Sequence, residues 1–242
     1  MADRAEVTRD RRTPRALIIA AAEGVFATAG YAGARMAEIA AAAGLPKANL
    51  HYYFKTKEGL YRAVLDDILG MWLAATDQIL PDSDPSAALS SYIRRKMVYS
   101  RTRPHASKVF ANEILHGAPQ LGGFLGTELR ALVEAKSTVI EGWIARGLMA
   151  PVEPRHLFFV LWAMTQTYAD FEVQVRAVLG RRRLGARDFQ AGTELIERLV
   201  LLGCGLNPVS PAPAQPPGRT PPAGRDRPDS TTRRRASARS RR

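Results

Sequence analysis

A single cysteine, Cys204, in 242 residues excludes an intrachain disulfide, and no Cys/His cluster has the spacing of a zinc site. Long apolar runs are missing. The longest, around "LFFVLWAM", stops at Thr165-Gln166, far short of the ~20 residues that span a bilayer. The N-terminal "MADRAEVTRDRRTPR" is charged and precedes no signal-like cleavage site. No Ser/His/Asp or Cys/His arrangement stands out, there is no Gly-rich phosphate loop, and the carboxylates are scattered along the chain. These absences argue against a disulfide scaffold, a metal centre, a membrane protein and an enzyme. A cytoplasmic protein without cofactor or metal is expected.

Acidic residues are in short supply, 23 against 35 lysines and arginines, for a net charge of +12. Half of the sixteen prolines fall in the last 36 residues, which also hold nine arginines against Asp226 and Asp229. That tail, residues 207–242, carries +7 and almost nothing bulky and apolar, so it is expected to stay disordered. Subtracting it leaves +5 on residues 1–206. A basic body with a basic tail favours a polyanionic partner.

Apolar residues recur at helical spacing, and no alternating run competes, so the chain reads as all-α. Thr13-Pro14 opens a first helix with the stripe Leu17, Ile18, Ala21, Val25 and Phe26, ending at Gly30. A short helix from about Arg35 to Ala43 is stopped by Gly44, and Pro46 begins a third. Thr56 caps a long fourth helix through Leu60, Val64, Leu65, Ile68 and Trp72. Asp84-Pro85, Arg103-Pro104, Ala118-Pro119 and Glu153-Pro154 mark four more starts, and a last helix runs from about Asp188 to Cys204. That makes nine helices.

Aromatic residues are only 7% of the chain, yet "GLPKANLHYYF", residues 44–54, holds four rings counting His51. A long helix, a short helix, a glycine turn and a second short helix form a helix-turn-helix. With Pro46 as first helical residue, Leu50, Tyr53 and Phe54 face the bundle, while Lys47, Ala48, Asn49, His51 and Tyr52 face outward. Asn49 can read adenine, Lys47 a guanine edge or phosphate, and Tyr52 a thymine methyl, with small Ala48 allowing close approach. Tyr53 can aim its hydroxyl at the rim, and Lys57 with the free N–H groups of the fourth helix makes a phosphate clamp. Arg9, Arg11, Arg12 and Arg15 supply a basic arm.

The stretch "AAEGVFATAGYAGARMAEIAAAAGLPKANLHYYFKTKEGLYRAVL", residues 21–65, resembles the DNA-binding domain of the TetR family of transcriptional regulators. The patterns Phe-x-x-x-Gly, Ile-Ala-x-x-Ala-Gly and Leu-x-x-x-Phe-x-x-Lys-Glu-x-Leu appear in order. Ala34 and His51 depart from the family's usual cap and phosphate-contacting residues. The resemblance implies a homodimeric repressor, with recognition helices on a palindromic double-stranded operator and a larger helical domain that binds an effector and dimerises. The expected domains are a basic arm (1–12), the helix-turn-helix bundle (13–57), a long helix leading into the effector domain (58–206), and the tail.

The Ile68–Leu73 stretch, "ANEILHGAPQL" and "LVEAKSTVIEGWIARGLMAPVEPRHLFFVLWAMTQTYADFEVQV" are similar to the RutR-type subgroup, pyrimidine-utilisation regulators that respond to uracil or thymine. On the helix after Pro154, Trp162, Thr165, Gln166 and Ala169 share a face. The Gln166 amide offers a donor and an acceptor matching a uracil N3–H and its carbonyl, Thr165 adds a hydrogen bond, and Trp162 or Trp72 stacks on the ring. Leu161, Ala169, Leu195, Ile196, Leu199 and Leu202 are candidates for the dimer interface, and Asp170 for a contact across it. The alternatives are a regulator of an unrelated pathway with another effector, or a less specific basic nucleic-acid-binding protein.

Overall fold

The computed structural model of the chain describes residues 13–207, all helix and turn. The basic arm and the tail lie outside these residues. Eleven α-helices are present among them: α1 (Pro14–Gly33), α2 (Met36–Ala42), α3 (Lys47–Tyr53), α4 (Lys57–Ala74), α5 (Pro85–Thr102), α6 (Pro104–Leu115), α7 (Gly122–Phe124), α8 (Arg130–Ala145), α9 (Pro154–Asp170), α10 (Glu172–Val178) and α11 (Ala186–Gly203). A π turn, Leu125–Leu129, joins α7 to α8.

The starts read from the sequence are built by the expected caps. The side chains of Thr13, Thr56, Asp84 and Glu153 accept from the N–H groups of Ala16, Gly59, Ala87 and His156 at 3.3, 3.0, 2.8 and 2.7 Å. Gly30 breaks the helical path at φ +67°, and Gly44 takes φ +65° at the end of α2. There the Leu45 N–H reaches back to the Ala40 carbonyl at 3.0 Å, closing the turn left-handed. Ala118-Pro119 does not start a helix. Ala118 sits at φ +56° in a turn, and the next helical residue is Gly122. The sequence reading also missed the break at Phe171 that separates α10 from α9.

Two apolar cores form. The first takes Ile18, Phe26, Ile39, Leu50, Leu60 and Ile68 from α1–α4, together with Ala106 and Val109 of α6. The second gathers Leu89, Ile93, Ile140, Trp143, Phe158, Leu161, Ile196 and Leu201 from α5, α8, α9 and α11. α1 is long and apolar enough to cross a bilayer, but Ile18, Ile19, Ala22 and Phe26 are core, and Glu23 beside them is ion-paired to Arg103. α7, the π turn and α8 run as one rod that touches both cores: Phe124 and Leu125 pack on the first, Val133 and Ile140 in the second.

Leu161, Ala169 and Ile196 are buried within the chain, so they cannot serve a dimer interface. Leu195, Leu199 and Leu202 remain exposed at i, i+4 and i+7 on α11, and Phe159 and Val160 on α9.

Candidate nucleic-acid interface and effector cleft

α3 is held by two anchors, Leu50, fully buried, and Phe54 at its C-terminal end, with Arg15 of α1 lying 5.4 Å over the Phe54 ring. Everything else on it faces out. Lys47, Ala48, Asn49, His51 and Tyr52 are exposed, and Tyr52 is 82% accessible with its ring edge-on to Tyr53. Tyr53 is not inward as the spacing suggested. It is 39% exposed at the rim, at the last helical position, and the extended residue after it, Phe54, takes the buried place.

Lys57 does not stand in the expected clamp. Its Nζ donates to the carbonyls of Tyr31, Ala32 and Ala34 at 2.9, 3.3 and 3.2 Å and lies 4.7 Å over the Tyr31 ring. All three donors thus satisfy the orphan carbonyls where α1 ends, fastening α4 to it. Lys57→Ala should therefore lower stability by about 1–2 kcal/mol, with the salt slope of DNA binding unchanged. Denaturant unfolding and a salt titration check this; a shallower slope at unchanged stability would return Lys57 to the phosphates.

A narrow cleft, partly open to solvent, lies among Trp72 (α4), Lys96, Tyr99 and Ser100 (α5), Arg103, Ser107 (α6) and Gln166 (α9). Gln166 and Trp72 both line it. Trp162 and Thr165 do not join them. The Trp162 Nε1–H donates to Tyr92 Oη at 2.8 Å, and the ring packs near Phe158 and Phe159. Thr165 is fully buried, and its hydroxyl donates to the Leu161 carbonyl at 2.7 Å. Helix rotation of about 100° per residue splits the face: positions 165 and 169 point into the bundle, and 166 turns toward α5.

The sequence reading missed the basic wall. Lys96 is 3% exposed, with its Nζ 4.1 Å from the Trp72 ring centroid. Desolvation pushes its pKa down to about 7, against a weaker upward pull from Asp170. Asp170 faces this interior, not a second subunit. Burial raises its carboxyl pKa, with Ser107, Lys96 and Lys108 pulling it back. The Ser107 hydroxyl lies close without completing a well-formed hydrogen bond, for neither its Oγ nor Asp170 Oδ1 has a partner. The missed signal was legible: Tyr92, Ile93, Lys96, Met97 and Ser100 form one buried stripe, and a lysine in such a stripe is a group brought inside.

Arg103 connects this cleft to the helix-turn-helix. It pairs with Glu23 of α1 and, at 2.8 Å, with Asp67 of α4. Burial works against its charge, and the two carboxylates more than restore it. A second fastener lies nearby on α6. Buried Glu113 accepts from Tyr61 Oη at 3.0 Å and from the Gln120 N–H at 2.6 Å, while Arg62 donates to the Gln120 side chain.

With this geometry in place, residues 18–64 match the family described as bacterial regulatory proteins, tetR family, and residues 65–207 the YcdC-like protein, C-terminal region. The HTH-type transcriptional regulator RutR of Escherichia coli is 44% identical over 186 residues, 77% of this chain and 88% of that protein. The HTH-type transcriptional repressor NicS of Pseudomonas putida is 31% identical over 152 residues, 61% of this chain and 68% of that one. The structure of the ketosteroid transcriptional regulator KstR2 of Mycobacterium tuberculosis covers 81% of this chain and 96% of its own at 15% identity, with TM-score 0.64.

Proposed function

The chain belongs to the TetR family of bacterial transcriptional regulators, and on that premise we propose that it is a homodimeric repressor released by a pyrimidine. It is a homologue of RutR, and its family members are regulators, not enzymes. The observation that carries the proposal is one physical line: exposed α3, then α4 from Lys57 to Trp72, then the cleft where Trp72 meets Gln166.

The outward residues Lys47, Ala48, Asn49, His51, Tyr52 and Tyr53 suit a major groove, where side-chain amides and basic groups discriminate base edges. The three exposed leucines of α11, with Phe159 and Val160 of α9, suit a symmetric interface between two copies. Selection from random DNA should return a palindrome, bound by a protein that light scattering finds to be a dimer at micromolar concentration. Asn49→Ala should cost about 1–3 kcal/mol at one base pair and relax specificity there. No enriched palindrome would sink the operator reading. The regulator works in the cytoplasm, where its operator is.

In the cleft, Gln166 supplies a paired donor and acceptor, and Trp72 a flat surface, for a uracil or thymine ring that widens the cleft as it enters. Thr165 and Trp162 act only as the scaffold behind them. A ligand that prefers one of two arrangements of the α4 end by about 1–3 kcal/mol would shift the spacing of the α3 helices and weaken operator binding. Gln166→Leu should leave unliganded operator binding intact and abolish release by uracil or thymine. A gel-shift titration reads this, and full responsiveness of the leucine variant would remove Gln166 from the site.

A further inference from the structure

Three polar groups in the cleft are unspent. The Ser107 hydroxyl is 4% exposed without a hydrogen-bond partner, the Gln166 amide lines the opening, and the Lys96 ammonium is 3% exposed. Lys96 makes none of the ion pairs among the described residues. It rests instead over the Trp72 ring, where a flat ligand would lie.

The charged groups around it do not satisfy it. Arg103, on the same wall, is held by Glu23 and Asp67. On α6, Lys108 is engaged with Glu172 of α10 at 3.5 Å. On α9, Asp170 acts on Lys96 through space, and its own Oδ1 is unpartnered. A buried ammonium without an acceptor is costly, and an oxygen brought in by a ligand would relieve that cost.

We propose that Lys96 is the specificity-determining residue of the cleft, selecting planar heterocycles that offer a carbonyl or enolate oxygen and holding their ionised form more tightly than the neutral one. The inference rests on the cleft being the effector site. An entering ring takes the place over Trp72, and the ammonium exchanges its contact with the indole for a charge-assisted hydrogen bond to the ring oxygen. Ligand anion beside ammonium then favours the charged lysine, so binding draws a proton from solvent.

The test is calorimetric titration of the full chain at pH 7 with uracil and with barbiturate, the same ring carrying a third carbonyl and ionised at neutral pH. Buffers of low and high ionisation enthalpy report proton uptake. Barbiturate should bind about tenfold more tightly than uracil. It should take up a measurable fraction of a proton, because burial lowers the lysine toward neutrality before the anion arrives. Lys96→Met should erase both effects. The uptake measurement needs no variant, so it stands even where Lys96→Met fails to fold.

Barbiturate binding without proton uptake, an undiminished barbiturate preference in Lys96→Met, or binding of neither ring would overturn the proposal. The two readings fail separately. Barbiturate bound with uptake while uracil and thymine do not bind removes those two as effectors and keeps Lys96. Equal release of operator by uracil from wild type and Lys96→Met removes Lys96 and keeps the pyrimidine.

Discussion

Arg103→Met is expected to destabilise the protein by about 2–4 kcal/mol and to disconnect effector binding from operator release. Arg103, at the joint between α5 and α6, ties α1 and α4 to it through one guanidinium, and its partners are unequal. Glu23 is buried, with 8% of its side chain exposed, whereas Asp67 is nearly half exposed. Removing the guanidinium leaves the Glu23 carboxylate in the first core without compensation, which is the costly part; Asp67 can return to water at little cost. The double variant Arg103→Met, Glu23→Gln should recover most of the loss, since a neutral amide replaces the stranded charge. Denaturant unfolding of the cycle gives the coupling, and operator binding with and without uracil gives the switch. A single variant within about 0.5 kcal/mol of wild type would mean that the bridge is ornamental.

The second large effect is on stability against pH. Lys96 has its pKa lowered to about 7 in the fold, while the unfolded chain keeps it near 10.5. Between those values the unfolded state binds more protons, so stability rises with pH, by at most about 1.4 kcal/mol per unit. Cys204 opposes this above pH 9, because burial pushes its thiol from 9.0 up to about 11 and the folded chain then holds the extra proton. The phenols of Tyr61 and Tyr92 are likewise raised by burial and act in the same sense above pH 10. The clean window is therefore pH 7 to 9, where urea midpoints should climb for wild type. Lys96→Met should be the more stable protein at pH 7 and show a flatter profile. A wild-type midpoint that stays level or falls across the window would contradict the burial of the ammonium.

Much of the fold was legible because its punctuation is local. Thr13, Thr56, Asp84 and Glu153 are caps whose side chains bond within three residues, and Gly30 and Gly44 occupy backbone conformations that glycine favours. Ala118-Pro119 misled because a proline suits a turn as well as a helix start. The outward face of α3 was legible for the same reason as the caps, a seven-residue helix having only one way to bury Leu50 and, at its cap, Phe54.

The cleft was half legible. Gln166 and Trp72 are an amide and an indole that a reader looks for. Lys96, Arg103 and Ser107 come from other helices and meet only through tertiary packing. Lys57 shows the converse error. A lysine at a helix start beside a DNA-reading element invites a phosphate, and nothing in the sequence says that three carbonyls 23 to 26 residues earlier will claim it.

The π turn at Leu125–Leu129 has a consequence for chain length. One helical residue corresponds to about 100° of rotation, and the widened turn absorbs that offset between Phe124 and Leu125, which serve the first core, and Val133 and Ile140, which serve the second. Gly126, Thr127 and Glu128 are exposed, so the stretch has the surface of a loop that tolerates gain or loss of a residue. It has the mechanics of a gear. Deleting Gly126 would straighten the rod and improve its own hydrogen bonding, yet turn one row of apolar teeth out of mesh. A sequence alignment that slides a gap through these five positions as through a loop would put one core or the other out of register.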